Sequence, residues 1–215
     1  MEANKISLKT FTISLAAVLF IETGFRLAIR GWIASSLPAL GLIRCLESFL
    51  LIVIVRWIEK DPGTIGLSRS KIPAGFIKGL IWSACFGIIA GVCFLVLLVF
   101  GINAMELMYR SRPAFHPNLI AFFLVGGVIG PIAEEIFFRG IIYGFFRQWG
   151  AIIAVVLSTL VFVFTHPVGG NLPLTQLVGG IVFAVAYEKE KNLMVPITIH
   201  CLGNLAIFSL PIVIS

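Results

Sequence analysis

Glu134, Glu135 and Arg139 stand in the stretch PIAEEIFFRG, residues 131–140, preceded by NLIAFFLVGGVIG and followed by IIYGFF. Three ionisable side chains within six residues of an otherwise apolar run are costly in hydrocarbon, and each is a functional candidate by default. Glu135 and Arg139 are four residues apart, so on a helix they share a face and can form a salt bridge. Glu134 is turned about a quarter of the way round the same helix and has no such local partner. A carboxylate left in an apolar interior without a close counter-charge is the environment from which a general base is made.

The other polar candidates lie further along. His166 ends FVFTH, with Phe162 four residues earlier on the same face; His200 opens HCLGN, with Asn204 one turn later. One histidine in an apolar helix is most simply a packing residue. A glutamate, two histidines and an asparagine converging from three helices are not explained by packing. His116, the third histidine, sits in FHPN before an apolar run and reads as an interfacial loop residue. Just ahead of the acids stand Gly126, Gly127, Gly130 and Pro131. Pro131 has no N–H for the carbonyl four residues back, that of Gly127, so a kink and an unpaired oxygen are expected there. Irregular backbone at membrane depth is tolerated where it lines a cavity.

The elements that position these residues follow from composition. The chain has 215 residues, 59% hydrophobic and 12% charged, with a mean hydropathy of +1.06. That leaves too little polar surface for a water-soluble domain. The expectation is an all-α polytopic transmembrane bundle of about seven spanning helices, forming one integral membrane domain over residues 1–215. The spans read as 11–29, 38–58, 75–101, 118–146, 150–166, 173–187 and 193–213, each near the roughly 20 residues that cross a bilayer. GWIASSLP, DPGTIGLSRSKIP, SRPAFHPN, HPVGGNLP and EKEKN separate them.

The net charge of +6 comes from scattered loop residues and not from a basic, aromatic-interleaved patch, so no nucleic-acid partner is expected. Ten lysines and arginines fall on one side of this topology and three on the other, with Arg26, Arg44 and Arg139 inside spans. The bias places the N-terminus in the cytoplasm. The apolar N-terminal run is broken by Glu22 and reads as a retained anchor helix. The four cysteines lie in apolar segments without CxxC spacing and read as buried free thiols. Glu22 with Arg26, and Arg44 with Glu47, read as ion pairs within or between the first two helices. Depths along ideal helices disagree: roughly 18 Å for Glu134, 24 Å for His166 and 11 Å for His200 from the cytoplasmic ends.

Taken together, EExxxR at Glu134–Arg139, FxxxH at Phe162–His166 and HxxxN at His200–Asn204, in that order, resemble the CPBP (CAAX-processing and bacteriocin-processing) family of intramembrane proteases. The resemblance covers residues 118–210, the protease core, and suggests a compact prokaryotic member of the cytoplasmic membrane. It implies that Glu134 and His166 activate the attacking water and that His200 and Asn204 hold the oxyanion. Glu135, Arg139 and Phe162 would orient them. The implied substrate is a membrane-associated protein or peptide entering between helices, with HPVGGNLP as a rim. Glu134, His166 and His200 would be the ligands of a zinc ion if one were bound. The lack of HExxH and the spread over three helices count against zinc, and the resemblance to family members read as glutamate-type proteases implies hydrolysis without a cofactor. The competing readings are a non-catalytic immunity or partner-binding membrane protein, and a proton-coupled transporter, for which an inverted repeat is expected and none is seen.

Overall fold

The computed structural model describes residues 5–31, 37–102, 118–166 and 173–214. His116, Arg110, Arg112 and the rim segment after His166 lie outside them, as does the side chain of Arg26. Among the described residues all regular structure is helical. Seven long helices run in order: α1 (Leu8–Gly31), α2 (Leu37–Ile58), α3 (Ile72–Val99), α4 (Leu119–Trp149), α5 (Ala151–Phe164), α6 (Leu174–Glu190) and α7 (Met194–Ile214). They coincide with the seven expected spans to within a few residues at most ends. The segments containing α1 to α4 are long and apolar enough to cross a membrane, whereas α5 and α7 supply shorter apolar stretches. α6, at 17 residues, is also short.

Large apolar side chains such as Phe20, Ile88, Ile120, Ile152 and Phe164 face outward, as a bilayer solvent requires. The cysteines are all free, but Cys45, Cys85 and Cys93 are exposed on that outer surface and only Cys201 is half-buried. The expectation of buried thiols is therefore corrected: in lipid an apolar residue gains nothing from facing inward, so apolar context alone does not predict burial.

Glycines set the close approaches. A Cβ on Gly79 would lie 2.5 Å from Thr198 Cβ, and one on Gly75 would strike Asn192, which is how α3 lies against the start of α7. Gly126 and Gly127 of α4 face Phe208 and Leu205 of α7 in the same way. A Cβ on Gly180 would lie 2.9 Å from Thr159 Cγ2 and 3.4 Å from Phe162 Cδ1, fixing α6 against α5.

One end of the bundle is tied by polar contacts between chain segments. Ser7 and Thr10 of the α1 entry donate to Glu59 Oε1, just past α2. Asn192 bridges Lys71 and Met194, and Lys78 pairs with Glu190. At the end of α6, Glu188 accepts from Arg147 Nε and Nη2, both at 2.9 Å, from Lys191 Nζ at 2.6 Å, and from the Tyr143 hydroxyl. Burial disfavours its charge, but the donors from Arg147, Lys191 and Tyr143 outweigh it and hold the Glu188 carboxyl down at about 2. Because that value lies below the unfolded carboxyl's 4.5, the stabilisation is complete above about pH 5 and is lost as pH falls towards 2. Thermal unfolding in lipid nanodiscs is expected to show a gap between wild type and Glu188→Gln at pH 7 that closes between pH 5 and 2. A gap constant with pH would contradict this origin.

Candidate active site

α4 carries the first three site residues, and its backbone is not the simple kinked α-helix expected. Two π-helical stretches, Val125–Ile129 and Ile136–Tyr143, flank a single α-helical turn, Gly130–Glu135. The Gly130 N–H reaches back five residues to the Val125 carbonyl. In that register the carbonyl that meets Pro131's missing N–H is Gly126, not Gly127. The prediction of an unpaired Gly127 oxygen is thus corrected by one residue, because it assumed an i−4 ladder. The Gly126 oxygen is satisfied from α7: Asn204 Nδ2 donates to it at 2.9 Å. The glycines that admit Leu205 and Phe208 bring Asn204 within reach.

The Glu135–Arg139 pair forms, wholly buried, with Arg139 Nη1 donating to Glu135 Oε1 at 2.9 Å. Arg139 Nη2 also donates to the Gly180 carbonyl of α6 at 3.2 Å. The guanidinium lies over the rings of Phe162 (4.7 Å) and Phe183 (5.2 Å). A buried guanidinium with carboxylate, carbonyl and aromatic partners is a rigid fork. Glu135 Oε1 takes a second donor, His200 Nδ1 of α7, at 2.7 Å. Glu135 therefore connects Arg139 and His200 across α4, α6 and α7.

Both histidine rings are fixed by their Nδ1 atoms. His166 Nδ1 lies 2.7 Å from the Phe162 carbonyl, which can only accept, so this nitrogen carries a hydrogen, and in the neutral ring Nε2 carries the lone pair. His200 Nδ1 donates to the Glu135 carboxylate, which leaves its Nε2 open as well. Those two Nε2 atoms stand 3.6 Å and 3.7 Å from Glu134 Oε2. The depth mismatch read from ideal helices disappears, because distances along separate straight helices ignore tilt and the π stretches. Glu134 is partly exposed (21%) and His166 likewise (29%), whereas His200 is nearly buried. The open side of the site is thus bounded by Glu134 and His166.

Among the described residues no group of three or more His, Cys, Asp or Glu side chains could hold a metal ion. Glu134, His166 and His200, the ligand set considered from the sequence, do not form one in this geometry.

Sequence reasoning missed Phe183. Its ring stacks on His200 with centroids 4.6 Å apart and planes 22° apart, and lies under Arg139. The available signal was its place three residues after Gly180, on the face that α6 presses against α5. Phe162, singled out only through the FxxxH spacing, contacts His166 (4.5 Å), His200 (5.9 Å) and Phe138 (5.0 Å) ring to ring. Arg44 was also set aside, as one half of a local ion pair. It joins both candidate pairs, lying 2.7 Å from Glu22 Oε1 of α1 and 2.6 Å from Glu47 Oε2 of its own helix.

Residues 116–206 match the family described as type II CAAX prenyl endopeptidase Rce1-like. The "Putative membrane peptidase YdiL" of Bacillus subtilis is 29% identical over 172 residues, covering 77% of this chain and 67% of that protein. The "Membrane-embedded CAAX protease MroQ" of Staphylococcus aureus is 37% identical over 84 residues, 36% of this chain and 34% of its own length. The chain is thus similar, over the region that carries the candidate site, to membrane peptidases of the CAAX type. An uncharacterized 24.3 kDa protein of Escherichia coli is 30% identical over 89 residues, 39% of this chain and 41% of its own. No solved structure matches the chain. The matched stretch contains Glu134, Glu135, Arg139, Phe162, His166, His200 and Asn204, so the candidate site residues lie in the part of the chain where the similarity is found. The chain is an integral membrane protein, as its long apolar helices and its similarity to membrane peptidases indicate.

Proposed function

We propose that this chain is an intramembrane endopeptidase that hydrolyses a peptide bond of a membrane-associated protein or peptide, with Glu134 as the general base. The observation that carries the reading is the meeting of three acceptors: Glu134 Oε2 with the Nε2 lone pairs of His166 and His200, at 3.6 Å and 3.7 Å. These separations exceed a direct hydrogen bond, and lone pairs facing a carboxylate call for a donor between them. A water molecule supplies two O–H donors and keeps its own lone pair for attack.

In this reading the water donates to Glu134 and His166. Glu134 takes a proton as the oxygen adds to the scissile carbonyl carbon, and the C=O electrons move onto the carbonyl oxygen. Collapse of the tetrahedral adduct breaks the C–N bond, and the proton held by Glu134 passes to the departing amine. The oxyanion is met by the second N–H of Asn204, whose first is engaged on Gly126. His200 donates through Nε2 only when it carries both ring protons, with Glu135 as the counter-charge on Nδ1. Donors placed at a developing oxyanion in a water-poor site lower a barrier by about 3–4 kcal/mol each. Glu135, Arg139, Phe162 and Phe183 orient the two imidazoles and do not touch the reacting atoms.

The names of the relatives suggest a prenylated peptide with a CAAX C-terminus as the first probe. Purified protein in liposomes is expected to cleave it at an unchanged rate in EDTA or 1,10-phenanthroline. Activity lost to the chelator and restored by zinc would overturn the metal-independent reading.

A further inference from the structure

The Glu22–Arg44–Glu47 cluster lies outside the constellation just described, yet the packing connects the two. Glu47 is 3% exposed, and its Oε1 has no hydrogen-bond partner. Its Oε2 receives Arg44 Nη1, the atom that also pairs with Glu22. Ser48 Oγ bonds the Arg44 carbonyl, adding a contact within that turn of α2. Three residues before Arg44, Gly41 meets α4 so closely that a Cβ there would lie 2.8 Å from Val125 Cγ2. Val125 opens the π stretch whose next residue, Gly126, is capped by Asn204. α2 packs along both this π stretch and the Gly130–Glu135 turn that follows it, so the α2 face bearing Arg44 is seated on α4 beside the turn that carries Glu134.

Of the described cations near the site, Arg139 is fully buried and committed to Glu135. Arg44 is a second cation on a helix packed against the Gly130–Glu135 turn, which carries Glu134, and Glu134 in turn faces His166. In a bundle of low dielectric such a charge is felt far more strongly than in water. The groups around Glu134 are thus His166 from the end of α5, His200 from α7, Arg44 from α2, and the Glu135–Arg139 pair of α4.

We propose that Arg44, clamped between Glu22 and Glu47, is a positioning residue that sets the electric field at Glu134 and His166. This rests on the peptidase reading for its purpose, though not for its test. Two carboxylates around one guanidinium leave the cluster tunable: removing the cation and removing one anion change the field at the site in opposite senses. A merely structural role has no such sign.

The test uses the three histidines of the chain. Selective 15N-histidine labelling of the full-length protein in lipid nanodiscs gives few enough imidazole signals to assign by single substitutions. At fixed pH, Arg44→Gln and Glu22→Gln are expected to move the His166 resonances in opposite directions, with Arg44→Lys close to wild type and His116 unmoved. Turnover of the prenylated probe by Arg44→Gln is expected to fall about tenfold in kcat with KM nearly unchanged. Should Arg44→Gln not fold, Glu22→Gln and Arg44→Lys still read the sign. His166 resonances that stay at the wild-type position in folded variants, or move the same way in both, overturn the proposal. Full activity in Glu134→Gln would instead sink the peptidase reading while leaving the Arg44–His166 coupling to be judged by the spectra.

Discussion

Glu134→Gln is expected to abolish turnover while leaving the protein folded. The replacement keeps the shape of the side chain and removes only its capacity to accept a proton from water. No tight contact is lost, since the nearest charged partners, His166 Nε2 and His200 Nε2, are 3.6 Å and 3.7 Å away and the side chain is one-fifth exposed. A general base contributes about 10²- to 10⁴-fold, so kcat should drop by about three orders of magnitude with the melting temperature near wild type. Initial rates on the prenylated peptide, measured beside thermal unfolding, check both halves. A variant that loses activity only because it unfolds would not support a catalytic role.

Arg139→Ala is expected to do the reverse, acting on the fold first. Arg139 and Glu135 are both fully buried, and the guanidinium also holds Gly180 and the faces of Phe162 and Phe183. Removing it leaves the Glu135 carboxylate inside the bundle with, among the described residues, only His200 as a counter-group. Breaking a buried pair from one side costs about 3–5 kcal/mol, much more than the pair itself adds over an apolar replacement. Arg139→Lys should recover only part of this, because an ammonium cannot address a carboxylate and a carbonyl from one planar fork. Unfolding in a mild detergent series measures the loss; a decrease below about 1 kcal/mol would show that Glu135 finds another partner or is neutral.

The contrast between these variants repeats a division already visible in PIAEEIFFRG. The four-residue spacing of Glu135 and Arg139 dictates a shared helix face, and adjacency turns Glu134 away from it, so the pairing was legible without coordinates. The helix positions were legible for the same kind of reason: long apolar runs interrupted by Pro, Gly and charge. Non-local features were not. The π register of α4 moves the orphaned carbonyl from Gly127 to Gly126, and a pattern of side chains carries no mark of an i−5 ladder. Proline showed where the helix would break its rule, but not how. The capping of Gly126 by Asn204 depends on how near α7 comes, which Gly126 and Gly127 determine together with Leu205 and Phe208. Arg44 was read as locally neutralised because Glu47 is three residues away; its bond to Glu22 and its place beside the Glu134 turn come from the packing of α1 on α2 and of α2 on α4.

The central claim is that Glu134 activates water and does not itself attack the substrate. A carboxylate can do either, and both routes would be silenced by Glu134→Gln. A single turnover in H₂¹⁸O, with proteoliposome-embedded enzyme in excess over the prenylated peptide and the product read by mass spectrometry, separates them. Water attack predicts one ¹⁸O in the new carboxylate from the first turnover. A first-turnover product that carries only ¹⁶O, its oxygen delivered from the enzyme's carboxylate, would contradict the account, as would failure of the wild-type protein to cleave while bound to the peptide.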